Sequence, residues 1–155
     1  MTSFIDTHCH LDKLESNPEE TVEEAKQEGV KTMVTISVDE ESFEFVSKAV
    51  KQFKEVYGTV GVHPHDASEF SPKLEKSILK MARDHDKLIA IGETGLDYHY
   101  MNSSLEDQQF AFRKQLRIAV DVNLPVILHS REAEADTINI LKEIHVPALG
   151  VAHSF

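Results

Sequence analysis

A single cysteine in 155 residues cannot close an internal disulfide. The fold therefore has no covalent staple and suits a reducing compartment. No apolar run approaches the roughly 18 residues that a membrane-spanning helix requires. The chain also reaches Asp6 before any signal-peptide-like apolar stretch can form. These absences set the expectation of a cytoplasmic protein with no membrane partner. Basic residues are scarce too: 16 Lys and Arg stand against 27 Asp and Glu, a formal net charge of -11. Proteins that grip long duplex by counterion release present a basic face, and none is visible. A nucleic-acid substrate would have to be held locally, with metal ions meeting its phosphates. Linkers, low-complexity segments and repeats are missing as well, so residues 1–155 read as one domain with a real core. No obligate protein partner is evident.

Short β-rich apolar runs alternate with stretches of helical period, the pattern of βαβ units around a parallel sheet. Strands are expected near residues 3–7, 32–37, 57–62, 88–92, 126–129 and 149–153. Their lack of clean alternation suits strands buried on both faces. Between them, Asn17-Pro18 opens a first helix that stops at Gly29, and Phe43, Val46, Ala49, Val50 and Phe53 mark the apolar stripe of a second. Ser71-Pro72 opens a third, Ser103 with Glu106 reads as the capping box of a fourth running to about Val122, and a fifth spans 132–143 with Ile138, Leu141 and Ile144 inward.

This order of elements leaves an open doubly wound sheet or a (β/α)8 barrel, and the strand ends decide between them. The first strand finishes in His8 and His10, which share a face because they lie two apart in extended chain. His63, Glu93, His129 and His153 finish the third, fourth, fifth and sixth strands, while the second, near Ser37, contributes nothing. Each has a bland reading by itself. His129 suits a helix-capping role, Glu93 a turn between Gly92 and Gly95, and His63 and His65 a rigid loop around Pro64. His85, His99 and His145 sit in ordinary polar settings. Jointly, a barrel brings these ends to one face, whereas an open sheet would string them out. The expected fold is therefore α/β, a (β/α)8 barrel rather than an open sheet. Glutamate can bridge two cations where imidazole binds one. The expected arrangement is one ion on His8, His10 and Glu93 and a second on Glu93, His129 and His153. Two divalent metal ions about 3.5–4 Å apart suit phosphoryl displacement. Cys9, on the opposite side of its strand, is expected to pack.

Five segments carry a family resemblance: Phe4-Ile5-Asp6-Thr7-His8-Cys9-His10-Leu11, Gly61-Val62-His63-Pro64-His65, Ile91-Gly92-Glu93-Thr94-Gly95-Leu96-Asp97-Tyr98, Leu124-Pro125-Val126-Ile127-Leu128-His129-Ser130-Arg131 and Gly150-Val151-Ala152-His153-Ser154-Phe155. In this order they resemble the successive motifs of the TatD family of metal-dependent deoxyribonucleases. The resemblance implies a TIM barrel of metallo-dependent hydrolase type with about its first six strands present. It implies a metal centre on His8, His10, Glu93, His129 and His153, with Glu93, His129 and His153 as candidate catalytic residues. It also implies His63 and Arg131 as substrate-binding residues. Family members are described as magnesium-dependent nucleases, including 3′→5′ exonucleases on single-stranded DNA or RNA, and some relatives as acting on D-aminoacyl-tRNA. Imidazole and carboxylate ligands suit zinc or manganese as well as magnesium. A family aspartate near the eighth strand has no counterpart here, and six strands cannot close an eight-stranded barrel. A C-terminally incomplete domain is therefore expected, which leaves a non-catalytic metal scaffold as a further alternative.

Overall fold

The computed structural model describes residues 3–153. Its strands are β1 (Phe4–Cys9), β2 (Val30–Thr35), β3 (Val56–Val60), β4 (Leu88–Asp97), β5 (Val126–Arg131) and β6 (Gly150–His153). The helices between them are α1 (Pro18–Gln27), α2 (Glu40–Gln52), α3 (Pro72–Asp84), α4 (Leu105–Val122) and α5 (Glu134–Glu143). All neighbouring strands pair in parallel, in the order β1-β2-β3-β4-β5-β6. A doubly wound sheet reverses its strand order part-way. Stepping always in one direction is the barrel arrangement, here as a six-stranded half-barrel.

The core has two parts. A large cluster joins strands to helices, with Val46 and Val50 of α2, Ile78 of α3 and Phe112, Leu116 and Ala119 of α4 set against Val56, Leu88, Ile91 and Val126. A small one, Val34, Ile36, Ala90 and Ile127 with Tyr57 beside them, contains no helical residue and marks the sheet's other face. Both faces of the central strands are thus buried, as their unbroken apolar runs require. The flanks differ: Ile5 on β1 is 66% exposed and Leu149, just before β6, is 74% exposed. No described helix is long and apolar enough to cross a membrane.

The helix starts follow local chemistry. Asn17 Oδ1 accepts from Glu19 N–H with Pro18 in the first turn, and Asp39 and Ser42 form a reciprocal capping box for α2. Ser71 Oγ accepts from Leu74 N–H at the start of α3. At α4 the expected cap shifts by one residue. Ser104, not Ser103, accepts from Asp107 N–H. Ser103 is buried instead, donating to the His65 carbonyl at 2.8 Å and accepting from Ser68 N–H at 3.1 Å. Helix α5 begins at Glu134 rather than 132, because Glu132 sits at φ 53°, which no right-handed helix admits. Its inward stripe is Thr137, Ile140, Leu141 and Ile144, anchored by Ser130 Oγ 3.2 Å from Thr137 Oγ1. Ile138, expected inside, is 50% exposed, one residue and so about 100° off that stripe.

Strand β4 runs five residues beyond its expected end and carries Glu93 within it. Gly92 and Gly95 lie at φ 141° and 144°, not in a turn but inside the strand. A Cβ on Gly92 would come within 2.5 Å of the Ile127 carbonyl oxygen, so glycine lets β4 press against β5 here.

Candidate metal centre

His8, on β1, and His10, one residue past its end, lie together with ring centroids 5.2 Å apart. Between them Cys9 turns the other way, its thiol donating to the Val34 carbonyl at 3.4 Å. Burial, with Asp6 and Asp12 nearby, pushes that thiol up to about 12. A thiol held protonated is a packing group and no nucleophile.

Glu93 is the hub. Buried at 3% exposure, it places Oε2 3.3 Å from His8 Nε2 and Oε1 3.1 Å from His129 Nδ1. Burial alone would raise its carboxyl, but the imidazoles of His129 and His8 beside it outweigh this and hold it well below the ordinary carboxylate range. The segment that follows β2, which contributes no ligand, supports the hub. The Ser37 carbonyl accepts from Glu93 N–H at 3.0 Å, and Ser37 Oγ accepts from Gly61 N–H at 2.9 Å.

His63 caps the turn Pro64–Glu69, its Nδ1 accepting from His65 N–H at 3.2 Å. With Nδ1 used as acceptor, the neutral ring keeps its proton on Nε2. That Nε2–H lies 3.2 Å from His129 Nδ1 and 4.0 Å from Glu93 Oε1. Burial depresses the His63 pKa to about 3. His129 is raised: burial opposes its charge, but Glu93 and Asp97 on either side outweigh that. His153 packs face to face on His8, centroids 3.8 Å apart and planes within 12°, on the exposed last strand. Ser154 and Phe155 of the last motif lie outside the described residues. Arg131 makes no ion pair among the described residues. Its guanidinium stacks 4.7 Å from the Tyr100 ring centroid.

The nitrogens and oxygens fall into two groups whose ligand atoms lie within 4.8 Å of one another: His8, His10 and Glu93, and His63, Glu93 and His129. The first is the grouping expected from the sequence. In the second, His63 stands where His153 was expected. His8 Nε2 is buried without a hydrogen-bond partner among the described residues, although it faces an ionised carboxylate. An orphaned nitrogen lone pair beside a charged oxygen fits a divalent cation.

Sequence reasoning missed three supporting residues. Asp97, buried, has Oδ2 3.0 Å from His129 Nε2 and 3.1 Å from His65 Nε2. Gln108 and Gln115, seven residues apart on α4, are both fully buried. Gln115 accepts from Val62 N–H at 2.7 Å and donates to the Val62 carbonyl at 3.0 Å and to Thr94 Oγ1 at 2.8 Å. Gln108 clasps the Asp97 backbone in the same two-handed way, at 2.8 and 3.0 Å. The available signal was an amide recurring on the apolar face of an amphipathic helix.

A one-directional parallel half-barrel with imidazoles and a carboxylate gathered at its strand ends defines the class of metal-dependent hydrolases built on (β/α) barrels. A profile of the family described as "TatD related DNase" matches residues 5–155, and the chain belongs to that family. It is 36% identical over 155 residues to the Bacillus subtilis protein named "uncharacterized metal-dependent hydrolase YabD", covering 98% of this chain and 60% of that one. It is 40% identical over 95 residues to the Escherichia coli "3'-5' ssDNA/RNA exonuclease TatD", covering 61% of this chain and 36% of that one. The crystal structure of YjjV, a TatD homologue from Escherichia coli, superposes with a TM-score of 0.90 at 32% identity, over 98% of this chain and 60% of the other. The chain thus spans about 60% of the length of relatives matched along nearly all of it.

Proposed function

We propose that this chain carries the metal centre of a hydrolase that cleaves phosphodiester bonds in single-stranded DNA or RNA, from the 3′ end. The observation that carries the reading is Glu93: ionised, buried and set between His8 and His129, with one carboxylate oxygen toward each. His8, His10, Glu93, His129 and His153 are the residues that would hold two divalent ions, magnesium by family likeness and manganese or zinc by ligand chemistry. Ions held there supply Lewis acidity, neutralising charge that develops on phosphoryl oxygens and making water a better nucleophile near neutral pH.

The other residues act on the substrate. His63, kept neutral, offers an Nε2–H into the site and is suited to donate to a non-bridging phosphate oxygen. Arg131, without a carboxylate partner among the described residues, offers a bidentate donor to a neighbouring phosphate. With a net charge of -11, the surface gives little general attraction to a polyanion, so binding energy is concentrated at these groups. The 40% identity to a relative named as an ssDNA/RNA exonuclease supports this substrate class.

The test uses a 5′-labelled single-stranded oligonucleotide and a D-aminoacyl-tRNA side by side, with magnesium or manganese, then with EDTA. Progressive 3′ shortening that EDTA stops and that Glu93→Gln abolishes is expected. Deacylation without shortening would move the assignment to acyl-ester hydrolysis on tRNA. Cation binding with neither activity would leave a non-catalytic scaffold.

A further inference from the structure

Asp97 lies at the last position of β4 and its carboxylate is fully engaged. Oδ1 accepts the backbone N–H groups of His99 at 3.0 Å and Tyr100 at 2.9 Å. Oδ2 faces His129 Nε2 at 3.0 Å and His65 Nε2 at 3.1 Å. Its own N–H and carbonyl are gripped by the Gln108 amide. The carboxylate therefore has one orientation, with one oxygen pinned to the following loop and the other presented to two imidazoles.

A carboxylate oxygen is only an acceptor, so it draws a proton onto the ring nitrogen it faces. His129 faces Asp97 at Nε2 and Glu93 at Nδ1, and its neutral ring has one proton to place. His63 Nε2–H, 3.2 Å from His129 Nδ1, needs an acceptor there, so the proton sits on Nε2 and the lone pair on Nδ1. Nδ1 is the atom 3.1 Å from Glu93 Oε1. We propose that Asp97 is a positioning residue that locks His129 in the Nε2–H tautomer, so that Nδ1 is available as a ligand. The proposal rests on the reading of His129 as a cation ligand. A carboxylate behind a ligating histidine fixes ring orientation as well as tautomer, and losing such a partner typically costs about 10–100-fold in metal affinity.

The discriminating substitution is Asp97→Asn. The two backbone N–H groups require an acceptor at the Oδ1 position, so the amide oxygen stays there and the NH2 takes the place of Oδ2. That NH2 donates to His129 Nε2, forces the proton onto Nδ1 and blocks the ligand atom, while shape and loop contacts are retained. Zinc titration by calorimetry should show a loss of about 10–100-fold for the cation that His129 holds, with the melting temperature of the metal-free variant close to the parent's. Spectra of ¹⁵N-histidine-labelled, metal-free protein at about pH 9.5, where free imidazole is neutral, should show His129 protonated on Nε2 in the parent and on Nδ1 in the variant. Zinc affinity within about twofold of the parent (a change of only ~0.4 kcal/mol) with an unmoved tautomer would overturn the proposal. So would a parent spectrum with His129 Nε2 bare, which needs no substitution and holds even if the variant fails to fold. A parent that binds no zinc would remove the metal reading first, and the spectrum would still judge the Asp97–His129 contact separately.

Discussion

The site has two unequal halves. At the ends of β3, β4 and β5, His63, Glu93, Asp97 and His129 are wholly or largely buried, each with a side-chain atom within 3.2 Å of another's, and the strand ends beneath them are held by glutamines from α4. On β1 and β6, at the borders of the sheet, His8 and His10 sit at the end of a largely exposed strand, and His153 is secured by its stack on His8. One half is built before any ligand arrives. The other has fewer such contacts among the described residues, and the orphaned His8 nitrogen belongs to it.

The strongest challenge to this contrast is Gln115→Leu, which strands the Val62 N–H, the Val62 carbonyl and Thr94 Oγ1 in the interior. Each unsatisfied buried group costs about 1–3 kcal/mol, so even at the low end of that range a loss of about 3 kcal/mol is expected. For a chain of this size that is a fall of about 6–12 °C in melting temperature, readable by circular dichroism. A neutral result would show that the buried half is not held from α4.

A subtler probe is acidification of the metal-free protein. Unfolded His63 takes up a proton below about pH 6.5, whereas burial keeps the folded ring neutral until about 3. Across that window the unfolded chain binds more protons, so stability falls as the pH falls. His153 shifts in the same direction, pushed down by burial and by His8. His129, shifted upward, contributes fully below its unfolded value and loses its contribution only at higher pH. Between about pH 6.5 and 5, urea midpoints should therefore drop less steeply for His63→Asn than for the parent. The smallest effect belongs to the rim: His153→Ala in the metal-free protein removes a ring stack worth about 1 kcal/mol and should shift the melt by no more than a few degrees. A large shift would mean the border strands are more firmly built than their exposure indicates.

Much of this architecture was legible in the sequence. The strand-end histidines and Glu93 carry their own signal, because metal-type side chains that follow one buried strand after another rarely do so unless they converge. His8, His10 and Glu93 come together as their spacing implied. The appearance of His63 in place of His153 in the second group was not legible, since it depends on how the chain turns after β3, where His63 caps the Pro64–Glu69 turn and meets His129. Asp97 was visible as a letter in a motif but not as a partner of His129, because only the extension of β4 past two glycines aims it there. Ser103 and Ser104 offer two caps a residue apart, and the tie goes to Ser104 because Ser103 is needed inside. Gln108 and Gln115 stayed hidden because hydrophobic periodicity treats an amide on the apolar face as noise.

The two glutamines have a mechanical corollary. One rod, α4, is fastened at two rungs to the tip of β3 and the tip of β4, so those tips travel in phase. A disturbance on the outer side of that rod, for instance at the Lys114–Glu75 pair, would translate His63 and the Asp97–His129 couple as a block and leave the spacing within the block intact. What would change is the gap from that block to His8 and His10, the span across which the first ligand group is assembled.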